Sequence, residues 1–210
     1  MTPKTDIPYD LLMKVQTGTM SYTYKDHEML KNPFDMALYA KLIWEQKPAT
    51  IIEIGSWQGG SAVWFADQMA LTDQKPNVIS VDIEQDFDIK DDRIRFMLGD
   101  AYDLGKTLAP ELLQSLPRPL LVIEDADHSQ KSTRAVMDFF ASHMRTGEYF
   151  IIEDGILHDM KVAEDYGGGP TAAIDAFMAD NPDMFTIDRT YCDFFGKNVT
   201  WNVDGFLRRL

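Results

Sequence analysis

The chain has 210 residues, of which 45% are hydrophobic and 26% are charged, as expected for one globular domain with a sizeable core. Its formal net charge of −14 argues against nucleic acids and anionic membranes as partners, because both are bound through basic clusters. A single cysteine, Cys192, excludes an intrachain disulfide, and no run reaches the ~20 apolar residues of a membrane span, so we expect a cytoplasmic protein.

The first 48 residues predict helical structure folded against the rest of the chain. Residues 1 to about 30 indicate a short helix and a loop. Asn32-Pro33 is a helix-start signal, and the helical pattern that follows ends near Pro48. We therefore divide the chain into an N-terminal helical cap, residues 1–48, which is not independent, and a main domain, residues 49–210.

Short apolar runs alternate with helical patterns through the main domain. The predicted strands are 51–54, 78–82, 94–98, 120–123, 149–152, 184–187 and 199–203. Alternation of this kind is typical of an α/β fold. We predict a Rossmann-like, doubly wound, mostly parallel seven-stranded sheet with helices on both faces and an antiparallel last strand.

A glycine-punctuated turn, residues 55–60, follows the first of these strands and precedes a helix for which Ser61 is a candidate N-cap. A strand, a tight turn and an open helix N-terminus form the usual cofactor site of such a sheet. The spacing is Gly-x-x-x-Gly-Gly rather than the dinucleotide fingerprint Gly-x-Gly-x-x-Gly, and Trp57 stands where a diphosphate needs glycine. An NAD(P) dehydrogenase is therefore disfavoured.

Acids at three strand ends indicate which cofactor binds there. Glu53 precedes the turn, Asp82 ends the second strand where it can accept both ribose hydroxyls, and Asp100 follows the third strand near an adenine position. This series suits an adenosine with a positively charged tail, as in S-adenosylmethionine, and it resembles the class I methyltransferase pattern. The candidate cofactor-binding residues are Glu53, Gly55, Ser56, Trp57, Gly59, Ser61, Asp82, Asp100, Ala101 and Asp125.

Further acids follow the fourth and fifth strands. Asp125, Asp127 and His128 come after the fourth strand, and Glu153 and Asp154 come after the fifth. Carboxylates that converge at neighbouring strand ends repel one another unless they are protonated or neutralised by a cation. Oxygen ligands favour a hard ion such as Mg²⁺. One or two of these acids could instead cap helices, Asp127 above all.

The stretches Asp125-x-x-His128 and Tyr149 to Asp154 resemble the metal motifs of a bacterial family of cephalosporin-hydroxylase-type proteins and rhamnosyl and macrolide-sugar O-methyltransferases. The similarity also runs through residues 29–33, 42–45 and 53–61. It implies that Asp125, Glu153 and Asp154 hold Mg²⁺, that His128 is the general base, and that the protein is a homo-oligomer. Glu124 stands where an aliphatic residue is usual, so Glu124 and Asp125 both remain candidates for the first ligand.

The predicted function is Mg²⁺-dependent transfer of the methyl group of S-adenosylmethionine to a hydroxyl of a small molecule, a sugar or glycosylated natural product. The alternatives are a catechol-type O-methyltransferase, a metal-dependent hydroxylase and a non-catalytic methyltransferase-like subunit. A non-haem iron hydroxylase needs two histidines and a carboxylate, and we find no His-x-Asp/Glu motif.

Three further features have open roles at this stage. His158 is a second candidate for the base. Residues 167–169, all glycine, form either a lid hinge or a plain linker. Tyr22, Tyr24 and Trp57 are candidates for the acceptor pocket, although core packing is the commoner role of such aromatic residues.

Overall fold

The computed structural model describes residue 2 and residues 4–210. The helices are α1 (Tyr9–Thr19), α2 (Pro33–Gln46), α3 (Gly60–Ala70), α4 (Leu104–Thr107), α5 (Pro110–Ser115), α6 (Gln130–Ala141), α7 (Gly169–Asp180) and α8 (Arg189–Cys192). The strands are β1 (Thr23–Tyr24), β2 (His27–Glu28), β3 (Thr50–Ile54), β4 (Val78–Asp82), β5 (Ile94–Leu98), β6 (Leu120–Glu124), β7 (Tyr149–Ile152), β8 (Phe185–Ile187) and β9 (Phe206–Arg209). Within the described part of the chain, every helix is too short or too polar to cross a membrane.

Seven of these strands form one sheet in the order β5-β4-β3-β6-β7-β9-β8. Neighbours from β5 to β7 are parallel, whereas β9 runs antiparallel to both β7 and β8. The predicted Rossmann-like sheet with an antiparallel last strand is therefore confirmed. The strand order reverses between β3 and β6, and the crevice beyond the carboxyl ends of such strands is where an open α/β sheet binds ligands.

Helices cover both faces of the sheet because its central strands are apolar on both sides. On one face, α6 and α7 pack through residues such as Phe140 and Phe177. On the other face, α2 and α3 pack through Tyr39 and Phe65, whose rings meet edge to face at 5.1 Å. The N-terminal helix α2 thus belongs to the same core as the sheet, while the domain boundary at residue 48 stays a prediction.

The predicted strand at 199–203 is wrong, because the last strand is β9. Residues 199–203 form turns in which Asp35 accepts hydrogen bonds from the Thr200 hydroxyl and from the Trp201 backbone N–H, the latter at 3.0 Å. The alternating apolar residues Trp201 and Val203 are buried in a separate cluster with Leu12. The alternating pattern at 199–203 therefore belongs to a buried loop rather than to a strand.

Two local expectations also differ from the structure. The N-cap of α3 is Gly59, with φ of 77°, so Ser61 lies inside the first turn rather than before it. The loop expected after the first helix contains the hairpin β1–β2.

The β1–β2 hairpin is held against α3 and against the glycine turn that precedes it. Tyr24 donates a hydrogen bond to Asp67 at 2.8 Å, and the Trp57 indole donates to Glu28 at 2.8 Å. The approach is so close that a Cβ at Gly60 would lie 2.2 Å from the carbonyl oxygen of Glu28. Glycine at this position is therefore what allows the N-terminal segment to dock beside the glycine turn.

We predict that Gly60→Ala lowers the free energy of unfolding by roughly 1–3 kcal/mol, since backbone must move to admit the methyl group. Urea unfolding followed by circular dichroism measures this change. Gly18→Ala in α1 is the matched control, because nothing lies within 4 Å of its added Cβ; it should raise stability by up to about 1 kcal/mol. Equal effects of the two substitutions would contradict the proposed close packing.

Candidate active site

A cavity of about 700 Å³ opens beyond the carboxyl ends of β3, β4 and β6. Part of its lining comes from the glycine turn and the strand ends; we call it the cofactor half, since it contains most of the predicted cofactor-binding residues: Gly55, Ser56, Trp57, Ser61, Asp82, Ile83, Asp100, Ala101 and Tyr102. Another part comes from α1 and from loops; we call it the half beyond the acids, and it includes Gln16, Thr19, Met20, Leu30, Leu157, Tyr166 and Trp201. Asp125, His128 and Asp154 line the same cavity. The cavity has room for a cofactor and a second molecule side by side.

The glycine turn passes directly over the loop that follows β6. Gly55 has φ of 102°, and a Cβ there would lie 1.9 Å from the carbonyl oxygen of Asp125. Only glycine fits this conformation at this distance. The turn of the cofactor half is thereby joined to the chain segment that carries the acids.

Asp82 fixes the same turn from the neighbouring strand. One of its carboxylate oxygens accepts hydrogen bonds from the backbone N–H groups of Ser56, at 2.7 Å, and of Trp57, at 2.9 Å. Because Asp82 also lines the cavity, it both shapes the turn and presents negative charge to a ligand. Its predicted contact with ribose hydroxyls stays a prediction.

Two predicted cofactor residues, Glu53 and Gly59, lie behind the cavity wall. Glu53 is fully buried and accepts a hydrogen bond from the Ser80 hydroxyl at 2.5 Å. Burial raises the pKa of Glu53 to about 7, although the nearby Lys31 charge opposes this. Glu53 therefore acts on the cavity through its neighbours rather than through exposed oxygens.

Asp127 is engaged in a local turn. Its carboxylate accepts the backbone N–H of Ser129 at 2.8 Å and the Tyr102 hydroxyl at 3.2 Å. Ser129, not Asp127, is the N-cap of α6, because its hydroxyl accepts the N–H of Ser132. Asp127 thus supports the rim of the cofactor half.

Asp125, His128 and Asp154 lie close together in the lining of the cavity. Each offers one potential metal-ligand atom, and these atoms all lie within 4.8 Å of one another. The His128 Nδ1 atom is 3.1 Å from an oxygen of Asp154 and 3.8 Å from an oxygen of Asp125. Both His128 and Asp154 adopt left-handed backbone conformations, with φ of 60° and 57°, a strain that recurs at functional sites.

The structure separates the roles of Glu124 and Asp125. Glu124 is the last residue of β6, is 1% exposed and accepts the N–H of Ala126 at 3.3 Å. Burial raises the pKa of Glu124 to about 8. Asp125 is the acid of this pair that faces Asp154, so it is the better placed of the two candidates for the first metal ligand.

Lys31, which sequence reasoning left without a role, lies between two of the predicted ligands. Its ammonium contacts Asp125 and is 2.8 Å from Oε2 of Glu153. The other oxygen of Glu153 accepts the Tyr39 hydroxyl at 2.7 Å. Both oxygens of Glu153 are thus engaged by protein groups, and its predicted role as a metal ligand stays a prediction.

The charges of this cluster shift the pKa values of its basic members. Burial disfavours the charged form of Lys31, but Asp125 and Glu153 outweigh it and raise the pKa of Lys31 well above its usual value. Burial likewise opposes the charged form of His128, whereas Asp154 and Asp125 raise its pKa above the ordinary value. The Lys31 ammonium is therefore charged across the physiological range, and a cation at the acids would favour neutral His128.

Of the aromatic candidates for the acceptor pocket, Trp57 is in the cavity lining, and Tyr22 and Tyr24 are not. Trp57 lines the cavity, but the Tyr24 hydroxyl is bound to Asp67 on α3. Trp201 and Tyr166 line the half beyond the acids, and the Trp201 indole donates to Gln16 at 2.6 Å. No motif in the sequence marked Trp201 or Tyr166 as a site residue, because α1 and the two loops that form this wall are far apart in the sequence.

Comparisons with known proteins agree on one family. The model of the family described as Rhamnosyl O-methyltransferase/CmcI matches residues 16–210. The chain is 31% identical over 191 residues to the rhamnosyl O-methyltransferase of Mycobacterium leprae, covering 89% of this chain and 82% of the relative. It is 28% identical over 194 residues to the protein of the same name from Mycobacterium tuberculosis, covering 89% and 78%.

Solved structures of CmcI also match the chain. CmcI with Mg and SAM matches at a TM-score of 0.72 and 28% identity, covering 100% of this chain and 87% of that chain. CmcI with SAH matches at a TM-score of 0.70 and 26% identity, covering 100% and 94%. The MycE methyltransferase of the mycinamycin pathway, with Mg and SAH, matches at 0.53 and 16% identity over 90% of this chain and 48% of that chain, a likeness of fold alone.

We predict that Asp82→Ala weakens binding of S-adenosylhomocysteine roughly tenfold or more, since hydrogen bonds to a charged group contribute about 1.5–3 kcal/mol each. The substitution removes the carboxylate that accepts the backbone N–H groups of Ser56 and Trp57. The glycine turn would therefore become less ordered, and the cavity would lose a negative charge. Isothermal titration calorimetry measures the dissociation constant.

The matched control is Asp88→Ala, because Asp88 is 82% exposed and pairs only with Lys90 among the described residues. It should leave the dissociation constant unchanged. If Asp82→Ala bound the ligand as tightly as this control, the cofactor half would have to be placed elsewhere in the cavity.

Proposed function

The chain belongs to the Rhamnosyl O-methyltransferase/CmcI family and is an S-adenosylmethionine-dependent O-methyltransferase; we propose that it requires Mg²⁺ and methylates a hydroxyl of a sugar or of a glycosylated natural product. The observation that carries this proposal is the convergence of Asp125, His128 and Asp154 in the cavity beside the cofactor half. Acid–base chemistry and a cation site are thereby available where a methyl donor meets its acceptor.

The residues at this point fit a hard divalent cation. Asp125 and Asp154 provide carboxylate oxygens, the ligands that Mg²⁺ prefers, and both line the cavity. Glu153, the third proposed ligand, lies beside them with its oxygens on Lys31 and Tyr39. When bound, the ion would lower the pKa of an acceptor hydroxyl and orient it. CmcI, at 28% identity, has been solved with Mg and SAM, which supports this assignment.

His128 is proposed as the general base. With Nδ1–H donating to Asp154, which is 3.1 Å away, the Nε2 lone pair is free to accept the proton of the acceptor hydroxyl. The carboxylate thus fixes both the tautomer and the orientation of the ring. The deprotonated oxygen would then bond to the methyl carbon of S-adenosylmethionine as the carbon–sulfur bond breaks, and S-adenosylhomocysteine would leave with the bonding electron pair on its sulfur. Holding the two reactants together in the cavity would favour this in-line displacement.

The half of the cavity beyond the acids is proposed to bind the acceptor. It combines ring surfaces of Trp201 and Tyr166 with polar groups of Gln16 and Thr19. Aromatic rings give flat apolar surfaces, and polar groups at their edges give hydrogen bonds. This mixture suits a sugar ring, which agrees with the named activity of the rhamnosyl relatives.

We predict that His128→Ala lowers kcat by roughly 10²–10⁴-fold while the dissociation constant of S-adenosylhomocysteine changes little, because only proton transfer is lost. The assay is methyl transfer to a glycoside acceptor. His158→Ala is the control: the His158 ring contacts the carbonyl oxygen of Thr2 at 3.2 Å, outside the cavity lining. A full rate in His128→Ala with a slow His158→Ala would transfer the role of base to His158.

We predict that Asp154→Asn abolishes Mg²⁺-stimulated turnover and retains S-adenosylhomocysteine binding, because it removes a ligand charge without changing the cofactor half. Glu153→Gln should have the same effect if Glu153 is a ligand. Rates with Mg²⁺ and with EDTA measure the metal requirement. If both variants turned over at the wild-type rate, the proposed requirement for a metal ion would be contradicted.

A further inference from the structure

Lys31 is a basic side chain enclosed at the acidic centre of the cavity. It is only 5% exposed, and its ammonium contacts Asp125 and lies 2.8 Å from Glu153. A buried cation needs such partners, because taking an ammonium out of water is costly unless carboxylates compensate. Lys31 is thus held at the acids by the same charge that would attract a metal ion.

Hydrogen bonds fix the backbone on both sides of Lys31. The Lys31 N–H donates to the Met29 carbonyl at 2.7 Å, and the Met29 N–H donates to the Tyr22 carbonyl at 3.0 Å. Immediately after it, Asn32 caps α2 by accepting the N–H groups of Phe34 and Asp35, each at 3.0 Å. The side chain therefore starts from a fixed point and reaches the acids by its own flexible stem.

Asp125 is shared between Lys31 and the candidate metal cluster. One oxygen of Asp125 contacts the Lys31 ammonium, and its other oxygen lies 3.8 Å from His128 Nδ1. Two cations that approach one carboxylate repel each other strongly where water is scarce. The Lys31 ammonium would therefore repel a divalent ion bound at Asp125 and Asp154 and lower the affinity for it.

We propose that Lys31 is a tethered cation that competes with Mg²⁺ for Asp125 and Glu153 and so sets the metal affinity of the site. This inference rests on the proposed Mg²⁺ dependence. Without the ion, Lys31 pairs with the two carboxylates and offsets their mutual repulsion. With the ion, the ammonium gives up at least part of this contact, and an oxygen of Glu153 becomes available.

The test is a metal titration of the full chain with S-adenosylhomocysteine bound. Mn²⁺ is the probe, its free concentration is read by electron paramagnetic resonance, and Mg²⁺ is the competitor. We expect Lys31→Met, which keeps the length of the stem, to bind both ions roughly tenfold or more tightly than the wild type. Lys90→Met is the matched control, because the Lys90 side chain is 83% exposed, and its affinity should equal that of the wild type.

The outcomes separate this inference from the proposed function. If the wild type binds the metal and Lys31→Met binds it equally or less tightly, the competition is disproved and the metal dependence stands. If neither protein binds the metal while both bind S-adenosylhomocysteine, the proposed metal dependence fails and the competition with it. Lys31→Gln repeats the titration should Lys31→Met be unfolded by circular dichroism.

The competition between Lys31 and Mg²⁺ can also be tested in the wild-type protein alone. Lysines are methylated with formaldehyde and cyanoborohydride, with and without saturating Mg²⁺, and the rate at each lysine is read by mass spectrometry. We expect Mg²⁺ to speed the modification of Lys31 several-fold and to leave that of Lys90 unchanged. An unchanged rate at Lys31 in metal-loaded protein would overturn the proposal.

Discussion

A buried lysine ammonium offsets the negative charge that a parallel sheet concentrates at the carboxyl ends of its strands. The ends of β6 and β7 deliver Asp125 and Glu153 to the same place, and Lys31 pairs with both. Removing one partner of such a buried group typically costs about 3–5 kcal/mol, since the remaining charge is left uncompensated. The acidic centre of the cavity depends on this pairing.

The pairing exists because the N-terminal segment is packed against the sheet. Tyr39 on α2 holds the second oxygen of Glu153, and the β1–β2 hairpin docks on α3 where Gly60 admits the Glu28 carbonyl. Gly55 permits an equally close approach to the Asp125 carbonyl. The glycines of one turn thus serve two purposes: they shape the cofactor half, and they let the segments that carry Lys31 and Asp125 come close to it.

The electrostatics of the cavity agree with the chemistry of the family. A sulfonium donor is cationic, and the cavity presents Asp82, Asp100 and Asp154 with few basic groups. Negative potential in a cleft attracts cations and weakens binding of anions. The raised pKa of His128 follows from Asp154 and Asp125, whose charges outweigh the effect of burial, so the charge state of this proposed base depends on any cation that lies beside these two acids.

The sequence by itself determined the sheet, the glycine turn and the acids at the strand ends, because apolar runs and turn residues act over short distances along the chain. It misplaced the last strand, since the alternation at 199–203 fits a buried loop pinned by Asp35 equally well. Only the tertiary structure decided that Lys31 neutralises Asp125 and Glu153, which are 94 and 122 residues away. No local pattern in the sequence indicates such a contact, because it depends on how the N-terminal segment packs against the carboxyl ends of β6 and β7.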